Sequence, residues 1–521
     1  MTFLCYDLKG IQSFIFAVPR LRYICGGSAI IDRFDREVAP AAAKESGGAE
    51  LVFSGGGKGA YRCAEAVAAD RIQERLRNSA REDGLTICFG RHENYAEAAR
   101  VATRTFPWLP VGAELEGQPC PSSGLFPTLD RRTHPVIARR QFARGERNDR
   151  YFEERLALSP EFGLKGKLSF VRNVSGRDRD DPDADRDGEA GARAFGSRNR
   201  WAVIAMDGND VGAQHRRAHD IYKGNDARLG EWLRRMSAAL DACTAAACKA
   251  GMREVLRLWA KSCGDEVDGA RVDDVQFVPL RPLVVGGDDI VLLCHARFAT
   301  EFVIKAATEF ERLAREEAVT AKKQGFDLWP ASDGKLTISA GILFASVTVP
   351  LASAIPYAES LLASAKGGGR RLSGGRLPSP SCVDFEMVTE SVLDTPSARR
   401  KRELQFHDGD DDSTVELTRR PYELRAMNDL LEMADAYQDV PTTIRHQILA
   451  GMRASRWDRK AFVARLGKRG ALARLVSDLE EGGGRWKERL TGSARAVSTD
   501  VVDALQILEE CARMDSAKEA S

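Results

Sequence analysis

The stretch Val284-Val285-Gly286-Gly287-Asp288-Asp289-Ile290-Val291-Leu292-Leu293 places two adjacent acidic residues at a glycine turn between two apolar runs. Aliphatic and β-branched residues on both sides predict two buried strands, and the short turn predicts that they form a hairpin. Both carboxylates then lie at the hairpin tip. Taken alone, Gly-Gly-Asp-Asp also fits an ordinary tight turn, because Gly and Asp suit such turns.

Length and composition give the broad class. The 521 residues suggest roughly three or four domains, and the 43% of apolar residues allows sizeable cores. Lys and Arg number 77 against 76 Asp and Glu, so the net charge gives no support for a free nucleic-acid binder. No apolar run is long enough to span a membrane, and no secretory signal is evident. The 11 cysteines form no Cys-x-x-Cys pair, and we expect reduced thiols in a cytoplasmic protein.

The quoted hairpin lies within an α/β unit of β-α-β-β-α-β order followed by a helix, which is the ferredoxin-like order of a palm domain. Its first strand, 201–206, runs directly into Asp207-Gly208-Asn209-Asp210. The other predicted elements are helices at 228–252 and 298–317, a strand at 336–345, a helix at 357–366 that should stop at the next three glycines, and an edge strand at 382–385.

The N-terminal part of the chain follows a similar order. A strand at 3–6 ends at Asp7, and a strand at 51–53 enters Gly56-Gly57-Lys58, where the later unit has Gly-Gly-Asp-Asp. We infer two palm copies, of which only the second carries acids at its hairpin. Asp7 has Lys58 as its hairpin partner and is not expected to bind a metal.

The sequence therefore predicts an α+β fold with two ferredoxin-like palm domains and a C-terminal helical domain. The run at 177–187 is rich in charge and lacks large apolar residues, so we expect a solvated loop there. The predicted domains are a first, degenerate palm at 1–110, an irregular linker region at 111–200, the second palm at 201–390, and helices at 391–521.

Three acids of the second palm suit divalent metal ions. Asp207 ends one central strand while Asp288 and Asp289 occupy the hairpin on its neighbour, so their carboxylates should converge. The backbone carbonyl of Gly208 is a further candidate ligand. Mg²⁺ prefers oxygen ligands of this kind, and two such ions can drive nucleotidyl transfer without a histidine base. The sequence thus predicts a Mg²⁺ or Mn²⁺ site that acts on a nucleoside triphosphate.

Four further residues are candidates for nucleotide binding. Gly286 and Gly287 permit positive φ and a close approach of the ligand to the backbone. Lys366 could reach the triphosphate as a point charge, and Ser339 could lie beneath the nucleotide. Lys366 and Ser339 also have plainer explanations. Lys366 could satisfy the helix dipole, and Ser339 could simply be a small strand residue. For Asp210 we expect a helix cap.

Taken together, these motifs resemble the large polymerase/cyclase subunit of type III CRISPR effector complexes, especially its Cmr-type form. The combination is more specific than any one motif, and it covers most of the chain outside 111–200. The resembling segments are 7–16, 21–22, 26–28 and 53–58 in the first palm, 206–212, 281–282, 286–289, 339–342 and 358–366 in the second, and 420–422 beyond it.

This resemblance implies a function. Such subunits join ATP into cyclic oligoadenylates through 3′–5′ links and release pyrophosphate when a guide-RNA complex has bound target RNA, and the product activates antiviral effectors. By the family pattern, Asp207, Asp288 and Asp289 carry the metals. The implied partners are ATP, guide RNA, target RNA and the backbone subunits of the complex.

The chain also departs from that family. We expect no N-terminal HD nuclease domain and no cysteine zinc knuckle between the palms, and Asn209 stands where many relatives have an acid. Two other functions stay open: a stand-alone GGDD cyclase that makes a cyclic dinucleotide without guide RNA, and a catalytically silent scaffold subunit of an RNA-guided complex.

Overall fold

A computed structural model gives the fold. It describes residues 2–17, 21–105, 118–119, 127–128, 156, 160–171, 190, 193–195, 200–388, 394–408, 413–452, 456–467, 470, 472–480, 485–491 and 494–511. The predicted solvated loop at 177–187 lies outside these residues, as does most of the region 111–200. Within the described residues, no helix is both long and apolar enough to cross a membrane.

The N-terminal unit is an antiparallel sheet with helices packed against it. Its elements are β1 (Thr2–Lys9), α1 (Ile11–Ile15), α2 (Leu21–Arg33), α3 (Ala39–Ser46), β2 (Ala49–Gly55), β3 (Lys58–Cys63), α4 (Ala66–Asp83), β4 (Thr86–His92) and α5 (Tyr95–Arg104). The strands lie in the order β2-β3-β1-β4, so the first strand is central. The predicted strands are present, and each is longer than its apolar run.

The second unit repeats this plan with additional strands. Its elements are β5 (Arg200–Gly208), α6 (Val211–Ile221), α7 (Asp226–Ser262), β6 (Leu280–Gly286), β7 (Asp289–His295), α8 (Ala299–Lys323), β8 (Ile338–Ser346), α9 (Leu351–Leu372) and β9 (Cys382–Val388). The sheet order is β6-β7-β5-β8-β9, with Tyr422–Glu423 at the far edge. Its first four strands follow the same order as the N-terminal sheet, which confirms the prediction of two palm units.

Two details of the second palm differ from the sequence prediction. Helix α9 does not stop at Gly367; it continues to Leu372 because the glycines serve close packing. A Cβ on Gly368 would lie 2.3 Å from Cγ of Pro421, and one on Gly369 would lie 2.8 Å from the carbonyl oxygen of Pro380. In addition, β9 is not the edge strand, since Tyr422–Glu423 pairs with it.

Helix α7 is the longest described helix, with 37 residues. It begins after Asn225, whose side chain accepts a hydrogen bond from the backbone N–H of Arg228. Helix α8 packs closely against it, since a Cβ on Gly251 would lie 2.7 Å from the ring of Phe302. Between α7 and β6 the chain forms a short helix, Gly264–Gly269, and two short strands, Arg271–Val272 and Val275–Val278. Val275–Val278 pairs with Arg271–Val272 on one side and with Lys167–Phe170, from before the second palm, on the other.

The C-terminal region contains the predicted helices and also a sheet that was not predicted. The helices are Pro396–Glu403, Leu424–Ala436, Thr442–Gly451, Arg456–Leu466, Leu472–Leu479 and Val501–Cys511, and the sheet strands, in spatial order, are Gln405–Asp408, Ser413–Glu416, Ala494–Thr499 and Trp486–Thr491. These strands are short and rich in charge, so they lack a clear apolar alternation. The boundaries proposed at 110, 200 and 390 stay predictions.

Candidate active site

The three predicted acids meet at one end of the second sheet. Asp289 pairs directly with Asp207 across β7 and β5, and Asp288 is the turn residue beside it. Gly287 adopts φ +59°, a value that favours glycine. Gly286 is not among the positive-φ residues, so the expected need for that conformation applies to Gly287 alone.

Gly208 allows the hairpin tip to lie over the end of β5. Its backbone N–H donates to the carbonyl oxygen of Asp288 at 3.2 Å. A Cβ on Gly208 would lie 3.0 Å from Cβ of Asp288 and 3.4 Å from its Oδ2. The absence of a side chain here therefore brings the Asp288 carboxylate over the Gly208 backbone.

Thr244 holds the hairpin turn from the helical side, a contact that the sequence prediction missed. Its hydroxyl donates to the carbonyl oxygen of Gly287 at 2.6 Å, and the residue is fully buried in α7. A hydroxyl-bearing residue on the buried face of an otherwise apolar helix was the available signal, because buried hydroxyls need a partner.

Lys366 reaches the acids from α9. Its ammonium donates to Oδ2 of Asp207 and, at 2.9 Å, to the carbonyl oxygen of Gly208. An interaction with the helix dipole therefore does not account for Lys366, because its ammonium contacts two of the predicted metal-binding groups.

Electrostatics set this cluster apart from an ordinary turn. Burial raises the pKa of Asp288 well above its usual value, and the neighbouring carboxylates of Asp207 and Asp289 raise it further. The pKa of Asp289 is also raised, first by loss of hydration in the cleft and then by Asp207, although its side chain still reaches solvent. A cation placed among these groups would relieve their repulsion, and the Lys366 ammonium partly does so.

The donor set fits a hard divalent ion. It consists of carboxylate oxygens and the Gly208 carbonyl, which are ligands that Mg²⁺ and Mn²⁺ favour. The close approach permitted by Gly208 brings Asp288 next to the residue that follows Asp207. Within the described residues, however, no three His, Cys, Asp or Glu side chains stand close enough to enclose an ion in this conformation. At this site Lys366 takes one oxygen of Asp207.

The remaining candidates lie below the cleft. Ser339 faces Asp207 in the neighbouring strand but is fully buried, and its hydroxyl accepts a hydrogen bond from the Cys382 N–H. Its role in nucleotide binding stays a prediction. Asp210 occupies the predicted N-cap position of α6, but its carboxylate makes no capping hydrogen bond and accepts instead from the Ser379 N–H at 2.9 Å. The side-chain cap is absent because the Ser379 loop packs against this turn.

Asn209 is a buried structural residue. Its amide donates to the Thr337 hydroxyl at 2.9 Å and to the Pro380 carbonyl at 3.3 Å. An ionised carboxylate at this position could make neither bond, because it has no proton to donate. The amide thus ties the end of β5 to the loops beneath the acids.

Among its described residues, the first palm has no comparable acidic cluster at its turn. Asp7 pairs in register with Lys58, and its carboxylate binds the Lys9 ammonium at 2.5 Å. The turn itself is held from within, since the Gly57 N–H donates to the buried carboxylate of Asp35 at 2.7 Å. That only the second palm carries metal chemistry stays a prediction.

The strand order and the acids on adjacent central strands define a palm domain of the nucleotidyl cyclase/polymerase type. Residues 200–373 match the family described as Cas10/Cmr2, second palm domain. This region of the chain is therefore Cas10-like, which confirms the resemblance seen in the motifs.

Three solved structures show a remote likeness to the whole chain, each at 14% identity over 98% of this chain and 70% of the other chain. They are Csm1 in T. onnurineus (TM-score 0.47), a Csm1-Csm4 cassette in complex with cA4 (TM-score 0.48), and one in complex with AMPPNP (TM-score 0.47). No curated protein matches the sequence.

Proposed function

We propose that this chain is a metal-dependent nucleotidyltransferase that joins ATP into cyclic oligoadenylates through 3′–5′ links and releases pyrophosphate. The observation that carries the proposal is the meeting of Asp207, Asp288 and Asp289 on adjacent central strands of a Cas10/Cmr2-type palm. A cluster of this kind, in which the pKa values of Asp288 and Asp289 are raised, suits cations and the phosphates that accompany them.

Each residue has a role in this proposal. Asp207 and the hairpin acids offer oxygen ligands for Mg²⁺ or Mn²⁺, with the Gly208 carbonyl beside them. Such ions, when bound, neutralise phosphate charge and activate the attacking hydroxyl. Lys366 gives the triphosphate a fixed positive charge, and Gly286 and Gly287 let phosphate oxygens come close to the backbone.

The biological setting is part of the proposal. We infer that the chain works with guide RNA and the backbone subunits of a type III CRISPR complex, and that target RNA triggers synthesis in antiviral defence. The support is the Cas10/Cmr2 match of residues 200–373 together with the motifs that flank it.

The direct test measures product. Purified protein is incubated with ATP and Mg²⁺ or Mn²⁺, with and without guide complex and target RNA, and products are separated by mass. We expect cyclic oligoadenylate, and a loss of at least about 100-fold in the Asp288→Ala/Asp289→Ala variant, because charge stabilisation at the reacting phosphate is removed. Lys58→Ala, at the equivalent turn of the first palm, is the matched control and should retain the product.

The other outcomes separate the competing functions. A cyclic dinucleotide formed without any RNA would replace the proposal with a stand-alone cyclase. No product in any condition, together with no metal-dependent ATP binding by calorimetry, would indicate a scaffold subunit. Product that is unchanged in the double variant would remove the hairpin acids from the mechanism.

A further inference from the structure

A largely apolar pocket of about 310 Å³ opens between the two palm units, beside the acids. The segment of α1 in the first palm provides one part of its lining, including Ile11 and Ile15, and strands β5, β6 and β7 with α9 of the second palm provide the rest. Asp207, Asp289 and Lys366 belong to the same lining. A molecule in this pocket would therefore touch both palms and the metal-binding groups at once.

One face of helix α9 runs along the pocket. Glu359, Leu362, Ala363 and Lys366 all line it, and their spacing of three or four residues puts them on one helix face. At a rise of 1.5 Å per residue, Glu359 lies about 10 Å along the helix from Lys366. A nucleotide has a comparable span from its first phosphate to the far edge of its base.

A polar pair lies at the Glu359 end of this helix face. The Gln12 side-chain amide donates to Oε1 of Glu359 at 3.0 Å, across the boundary between the palms. Because a carboxylate only accepts, the NH₂ end of the Gln12 amide faces Glu359. Its second N–H and the other lone pairs of Glu359 can serve a ligand, so the pair offers a donor next to an acceptor.

We propose that Gln12 and Glu359 are the side chains that recognise the adenine base of the bound ATP. The edge of adenine carries the N6 amino donor beside the N1 acceptor, which matches a Glu359 acceptor beside a Gln12 donor. The aliphatic lining covers the faces of the ring, as in most small-molecule sites. This inference rests on the proposed function, which already takes ATP as the substrate, and assigns the two side chains that distinguish its base.

Guanine fits this arrangement less well. It carries an oxygen where adenine carries the amino group, so O6 and the Glu359 carboxylate would face each other as two acceptors. The amino group of adenine supplies the hydrogen that this carboxylate lacks.

Binding measurements on the full chain test the pair without requiring turnover. Calorimetry with Mg²⁺ compares three ligands that carry an α,β-methylene bridge: the ATP analogue, its 6-deamino purine counterpart, and the GTP analogue. We expect the ATP analogue to bind about tenfold more tightly than the deamino ligand, as for one hydrogen bond to a charged group. In Glu359→Ala this difference should vanish, whereas Glu359→Gln keeps an acceptor oxygen and should restore most of it.

A second variant and its control address the other half of the pair. Gln12→Ala should weaken the ATP analogue several-fold, while Ser13→Ala, at the next exposed residue of α1 and outside the pocket lining, should not. The inference is overturned if the wild-type chain prefers the GTP analogue, or if Glu359→Ala weakens the ATP and deamino ligands equally. If none of the three nucleotides binds, the proposed function itself fails.

Discussion

The sheets of the two palms have the same strand order, but their hairpin turns differ in where the acidic residues lie. In the first palm the acid is beneath the turn: Asp35 is buried, accepts from the Gly57 N–H, and is bound by the Tyr6 hydroxyl at 2.9 Å. In the second palm the acids are on the turn and face the cleft, and the support beneath it is the neutral hydroxyl of Thr244. The same sheet topology thus supports two kinds of turn. In one the carboxylate lies beneath the turn and accepts a hydrogen bond from its backbone, and in the other the carboxylates project from the turn and form an acidic site.

The largest expected effect comes from filling the space under the acids. In Gly208→Ala the new methyl would lie 3.0 Å from Cβ of Asp288 and displace the hairpin tip. Because small misplacements at a reacting centre are costly, we expect cyclic product to fall about 100-fold, measured as pyrophosphate release. The control is Gly264→Ala, where an added Cβ meets nothing within 4 Å. Full activity in Gly208→Ala would show that the close approach of Asp288 is unnecessary.

A smaller effect should follow from loosening the support of the second turn. Thr244→Val keeps the shape of the side chain but removes the hydrogen bond to Gly287. If the lost hydrogen bond raises the activation free energy by about 1 kcal/mol, kcat should drop roughly five- to tenfold. Thr244→Ser keeps the hydroxyl and should restore kcat.

The matched site on the same helix is Ser237, whose hydroxyl would be 3.7 Å from a Cβ on Gly55 at the first turn. We expect Ser237→Ala to leave kcat unchanged. Equal losses in the two variants would mean that α7 acts through general packing and that the two turns are not distinct in function.

The smallest effect on catalysis is expected from the first palm, where a pH dependence appears in the free energy of unfolding. Burial raises the pKa of Asp35 from 3.8 to about 7. The folded chain therefore binds this proton more tightly than the unfolded chain. The stabilisation is complete below about pH 4 and is lost as the pH rises through about 7, by at most about 1.4 kcal/mol per pH unit.

Thermal unfolding of the wild type and Asp35→Asn between pH 5 and pH 8 measures this effect. The amide keeps an oxygen for the Gly57 N–H but does not titrate, so the wild type should lose stability relative to the variant as the pH rises. A difference that stays constant across this range would mean that Asp35 is ionised in the folded chain at every pH tested.

Much of the fold could be predicted because both palms bury apolar strands that alternate with long helices. The pairing of Asp207 with the hairpin acids followed from that order alone. The C-terminal sheet was missed because its strands, such as Trp486–Thr491, are short and charged. The predicted end of α9 was wrong because the helix continues where Gly368 packs against Pro421, a residue distant in sequence. The ammonium of Lys366 on Asp207, and the Gln12–Glu359 contact, likewise depend on tertiary placement that no local pattern encodes.

The glycines of α9 have a mechanical consequence. At Gly368 the helix backbone rests against the Pro421 ring with no side chain between them, only two residues beyond Lys366. Side chains can change rotamer to absorb a small shift, whereas two rigid surfaces in contact pass it on, because packed interiors compress little. A sub-ångström displacement of the segment around Pro421 would therefore be transmitted through α9 and would move the Lys366 ammonium relative to Asp207.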